Sequence, residues 1–117
     1  KLSAYKKSIS VTVSKKTVKI LAANIIYIYH ERRFTYIVTT EGTIATHDTF
    51  QSVVEQLTDD CFIETHASCY VNLNYVSDYN KTDIVCEFNG KVYNPYISTR
   101  KYSAFNKRFR EWSCNLQ

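Results

Sequence analysis

Methionine is absent from this chain of 117 residues, proline occurs once and glycine twice. Gly42 and Gly90 stand alone, so no glycine-rich loop exists to cradle a nucleotide phosphate. No apolar run approaches the roughly 18 residues of a membrane span, and no membrane partner is expected. The four cysteines, Cys61, Cys69, Cys86 and Cys114, form no C-x-x-C pair, which argues against a zinc knuckle or a thioredoxin-like site. His30, His47 and His66 show no dense ligand spacing, so neither a metal nor another cofactor is expected. Asp59-Asp60 lies in a loop beside a helix end and reads as a solvated turn. No nucleophile-base pair or paired carboxylates stand out, and the chain is not expected to be an enzyme. The missing methionine and the start at Lys1 fit a piece of a longer protein.

What is present is aromatic and β-forming. Ten Tyr, six Phe and an apolar fraction of 44% supply a core for one domain spanning 1–117, centred on about 9–112. Such a core stands without staples, so the cysteines are expected to be reduced, which points to the cytoplasm. The net charge of +4 conceals an uneven distribution. Residues 1–40 carry eight Lys/Arg against Glu31 alone, and 91–117 carry six against Glu111 alone. The middle, 41–90, carries nine Asp/Glu against Lys81 alone. Basic ends around an acidic middle suit a polyanion-facing surface assembled from both termini, although solvated charges give the same count.

Alternation predicts strands over Ser8–Val13 and Thr17–Leu21, then Asn24–His30, Phe34–Thr40 and Thr43–Thr46. Asp48 with Gln51 resembles a capping box, followed by Phe50, Val53, Val54 and Leu57 at helical spacing. Strands resume at Cys61–Thr65, Cys69–Leu73, Tyr75–Tyr79, Ile84–Phe88 and Lys91–Asn94. Asn89-Gly90 is the strongest hairpin signal. Tyr102, Phe105, Phe109 and Trp112 make the apolar stripe of a closing helix that Ser98 could cap. His66 and Cys69, three apart on one expected strand, would face opposite ways and could not act as a pair.

Three connections carry side chains able to reach nucleic acid: Arg32, Arg33 and Thr35; His66, Ala67 and Ser68; Ser98, Arg100 and Lys101. Each has a plainer reading. His66 could be a packed histidine with one backbone hydrogen bond, Arg32 and Arg33 solvated turn charges, and Ser98 only a cap. Arg100 and Lys101 fall in the expected first helical turn, where the macrodipole disfavours cations.

The stretch Phe62-Ile63-Glu64-Thr65-His66-Ala67-Ser68-Cys69-Tyr70-Val71-Asn72-Leu73 resembles the F-x-R-x-H-R-S-x-x-V-N-L motif of the LytTR family. Asn24-Ile25-Ile26-Tyr27-Ile28-Tyr29, the Glu41-Gly42 turn, the Phe50–Leu57 helix, the Asn89-Gly90 hairpin and Ile97-Ser98-Thr99-Arg100 follow in the family's order. The resemblance runs from about Ile9 to Phe109. It implies a mainly β fold, an elongated β-sandwich of hairpins with one short internal helix and a C-terminal helix. It also implies the output domain of a bacterial response regulator, with an N-terminal receiver domain in the parent chain. That domain would read double-stranded DNA at direct repeats, as a dimer on paired sites, through loops in successive major grooves. By resemblance Arg100 reads a base edge, His66 lies at the groove, Ser68 and Ser98 contact phosphates, and the Arg32–Tyr36 loop also reaches DNA. Ala67 and Glu64 depart from the motif: one loses a base-reading side chain, the other a positive charge. A β-sandwich protein-interaction module, with Tyr27, Tyr29, Tyr93 and Tyr96 as its contact surface, is the alternative from the residues alone. Single-stranded RNA stacked on the aromatics is a third.

Overall fold

A computed structural model describes residues 7–114. Strands β1 (Ser8–Val13) and β2 (Lys16–Leu21) form a separate antiparallel hairpin. β3 (Ile25–Glu31), β4 (Phe34–Thr39), β5 (Gly42–Thr46), β6 (Phe62–His66) and β7 (Cys69–Asn72) make a five-stranded sheet in the order β5-β4-β3-β7-β6. β8 (Val76–Tyr79), β9 (Ile84–Phe88) and β10 (Lys91–Tyr93) form a third sheet. Helix α1 (Phe50–Val54) joins β5 to β6, and α2 (Tyr102–Cys114) closes the chain.

The five-stranded sheet is covered on both faces, which is why β3 is apolar on both sides from Ile25 to Tyr29. On one face Ile25, Ile28 and Ile37 pack under the β1–β2 hairpin (Ile9, Val11, Ile20) and α1 (Val53). On the other, Ile26, Val38, Cys69 and Val71 pack under Ile84 and Cys86 of β9 and Phe105 of α2. A register shift between Ile25 and Tyr27 lets Ile25 and Ile28, three positions apart, share one face while Ile26 and Tyr27 share the other. The expected helical stripe packs on this second core: Phe105 is wholly buried, with Tyr102, Phe109 and Trp112 partly buried around it. All four cysteines are free thiols, and Cys69 and Cys86 lie within the core. Burial, with Cys69 nearby, pushes the Cys86 thiol up to about 12. Among the described residues no helix is long and apolar enough to cross a membrane.

Three local expectations change. Thr49, not Asp48, caps α1, its hydroxyl accepting from the Ser52 amide at 3.1 Å. The Asp48 carboxylate is already taken, accepting from the Thr12 amide at 2.9 Å. The closing helix begins with a 3-10 turn, Thr99–Lys101, and Ser98 caps it without a side-chain hydrogen bond. Finally, His66 and Cys69 are not on one strand. Ala67 and Ser68 form a two-residue turn, and His66 pairs with Cys69 across it.

Candidate nucleic-acid interface

Register fixes which connections meet. β3 runs up to Glu31 and pairs with β7, Tyr29 opposite Cys69, and the His30 amide donates to Ser68 O at 3.0 Å. The Arg32-Arg33 and Ala67-Ser68 turns therefore emerge side by side at one end of the central sheet. The third connection is stitched to the same end by Thr65. Its buried hydroxyl donates to Tyr96 O at 2.6 Å, and its carbonyl accepts from the Ser98 amide at 2.9 Å. Glu64, His66, Ala67, Ser98, Arg100 and Lys101 line a cleft of about 240 Å³ between the two segments.

Each side chain in this row has a defined state. Arg32, Arg33, Ala67 and Arg100 are exposed. The ion pairs among the described residues are Lys7–Asp59 at 2.9 Å and Lys101–Glu64 at 3.2 Å, which leaves the three guanidinium groups unpaired. Glu64, the departure from the motif, thus holds the ammonium of Lys101. His66 Nδ1 accepts from the Ser68 amide at 3.1 Å and lies 3.0 Å from Ser68 Oγ. A backbone N–H can only donate, so the neutral ring carries its proton on Nε2 and offers a donor there. Tyr96 packs edge-on against His66 at 5.5 Å and against Tyr29 at 6.1 Å, buttressing the imidazole. Burial, with the Glu31 carboxylate adding to it, raises the hydroxyl pKa of both tyrosines, keeping them protonated.

Thr35 does not belong to this surface. It is wholly buried, and its hydroxyl donates to Asp48 O at 2.8 Å. Strand alternation explains this, because Thr35 shares the core-facing side of β4 with Ile37. The tyrosine surface is also mostly internal. Tyr27, Tyr29 and Tyr93 pack on the second core, and Tyr96 alone of the four is strongly exposed, at 41%. Thr65 is the residue missed from the sequence, and Tyr96, named there only for a protein-contact surface, stands here as the support of His66. The alternation of β6 could flag Thr65 as core-facing, but its partner 31 positions away leaves no local trace.

The chain shares its architecture with a solved structure described as the LytTr DNA-binding domain of a methyl-accepting/DNA response regulator from Bacillus cereus. The two superpose with a TM-score of 0.67 at 20% identity, over 88% of this chain and 96% of that one. No curated protein sequence matches the chain. The family model for the LytTr DNA-binding domain matches residues 15–110, a span that includes the Arg32, His66 and Arg100 connections. With the match extending over most of its length, the chain belongs to the LytTr DNA-binding domain family.

Proposed function

We propose that the domain binds double-stranded DNA sequence-specifically through the sheet end where the Arg32-Arg33, Ala67-Ser68 and Ser98–Lys101 connections meet. One observation carries the reading: in a chain of a DNA-binding family, three sequence-distant polar connections converge on one end, with unpaired Arg side chains among them. Neighbouring strands lie about 4.8 Å apart, so the turns next to β3 and β6 fall within the roughly 12 Å width of a major groove.

In this reading Arg100 donates to a guanine edge and His66 offers its Nε2–H to a base or phosphate acceptor. Ser68 and Ser98 donate to phosphates, and Arg32 and Arg33 anchor the backbone. Ala67 offers only a methyl group, suited to contact with a thymine methyl. Lys101 joins the interface by exchanging Glu64 for a phosphate. The domain works in the cytoplasm as the output part of a transcriptional response regulator, and carries out no catalysis itself. Its receiver lies in the parent chain, and phosphorylation there promotes paired binding at direct repeats. The Bacillus cereus domain, described as part of a response regulator, supports that context.

Selection from a random duplex library, followed by titration of the winner against salt, tests the proposal. The expected result is an enriched repeated motif, with log affinity falling by about 0.9 per phosphate for each decade of salt. Equal weak binding to every duplex would refute sequence-specific recognition and favour the protein-interaction module.

A further inference from the structure

We propose that the β1–β2 turn, with Lys15 and Lys16, is a second phosphate-binding site that carries the DNA contact beyond the edge of the central sheet. The site deepens the DNA-binding reading and rests on it.

The turn lies at the same end of the fold as the other basic connections. Thr46 Oγ1 donates to Thr12 O at 2.6 Å, and the Thr12 amide donates to Asp48 at 2.9 Å. Thr46 in turn pairs with Thr35, three positions from Arg32. Further back along β1, Ser10 exchanges two hydrogen bonds with Gln56, beyond the far end of α1. β1 therefore points its tip toward the Arg32 end. β2 then leads back through Ala22–Asn24 to the start of β3 at the opposite end.

The backbone of the turn supports a use beyond connection. Ser14 and Lys15 sit at φ of 50° and 68°, the two-residue arrangement in which Asn-Gly is favoured. This chain uses that favoured pair at Asn89-Gly90, and a glycine at positive φ, Gly42, beside the β4–β5 turn. Both of those turns lie at the end away from Arg32. At the near end, the two hairpins with left-handed residues carry Lys15 and Arg32 in those positions instead. Lys15 and Lys16 are exposed and take part in no ion pair among the described residues.

Position decides what the lysines can touch. The hairpin tip stands beside β5, whereas Arg100 stands beside β6, on the opposite face and at the opposite edge. Five strands at about 4.8 Å separate those corners by about 19 Å, more than the roughly 12 Å of a major groove. A major groove that takes Arg100 at a base edge thus ends short of the hairpin tip, and Lys15 and Lys16 meet the backbone that walls it. An ammonium on a flexible stem suits that partner, meeting phosphate as a point charge without reading sequence.

The test is a salt titration of the Lys15→Ala/Lys16→Ala variant of this chain on the duplex selected with the wild type. The slope of log affinity against log salt should become shallower by about 0.9 for each phosphate lost. Preference for the selected duplex over a scrambled one should stay unchanged, and Lys15→Arg/Lys16→Arg should restore the wild-type slope. A variant with wild-type slope and affinity would overturn this site alone. A wild type that binds no duplex would overturn the underlying reading and the site with it.

Discussion

Replacing Arg32 with glycine should raise the stability of the domain while weakening its hold on DNA. Arg32 is the first residue of a two-residue loop between Glu31 and Phe34, and it sits at φ 60° while Arg33 does not share a positive φ. A left-handed conformation costs an L-residue about 1–2 kcal/mol. Glycine removes that cost but returns about 0.5–1 kcal/mol through its greater freedom in the unfolded chain. The difference leaves a net gain of about 0.5–1 kcal/mol, or about 2–4 °C in Tm for a domain of this size. Arg32→Ala keeps the strained backbone and should stay within about 0.5 kcal/mol of wild type. On DNA the two variants should behave alike, each losing about 0.9 of salt slope if the guanidinium meets phosphate. Thermal melts and salt titrations of both proteins separate the effects. Glycine failing to stabilise relative to alanine would refute the strain. Wild-type DNA affinity in both variants would refute the idea that the strain is kept for DNA.

Four further outcomes follow from the geometry. Ser98→Ala should change stability by less than about 0.5 kcal/mol because Ser98 makes no side-chain cap, whereas Thr49→Ala should cost about 1 kcal/mol; urea melts compare them. Glu64→Gln should leave stability nearly unchanged but strengthen duplex binding and steepen its salt slope, since the exposed pair with Lys101 is worth little to the fold. Thr35→Val should cost about 1–3 kcal/mol by leaving the carbonyl of Asp48 without its donor, with the intrinsic affinity of the folded protein for DNA unaffected. Stability should fall as pH rises above 9: the unfolded chain then loses the Cys86 proton, which the folded chain retains up to about 12. Urea midpoints between pH 8 and 10 should decline less steeply in Cys86→Ala, and an unchanged decline would refute the assignment.

The hairpins were legible because their signals are local. Alternation marked β1 to β5, and Asn89-Gly90 does adopt positive φ at both residues, 54° and 80°. The misread points depend on partners far along the chain. Asp48 has the right chemistry and spacing for a cap, but a backbone amide 36 positions away claims its carboxylate. Ala67-Ser68 turns the chain without Gly, Asn or Pro, so β6 and β7 could pass for connected strand. Thr35 is different, since counting back by twos from Ile37 already puts it on the buried side of β4. The candidate interface was legible as three connections; their meeting at one end depends on strand order and on Thr65, which carry no motif.

The exposed turns have a consequence for how such domains diverge. Arg32, Arg33, Ala67 and Arg100 project from backbones fixed by register, and their side chains contribute nothing to either core cluster. On the proposed DNA-binding reading, target preference can therefore drift by single substitutions at Ala67 and Arg100, and overall affinity at Arg32 and Arg33, while the scaffold stays untouched. Randomising these four positions together should yield a collection of folded proteins with different operators, and so a means of retargeting the domain without rebuilding it.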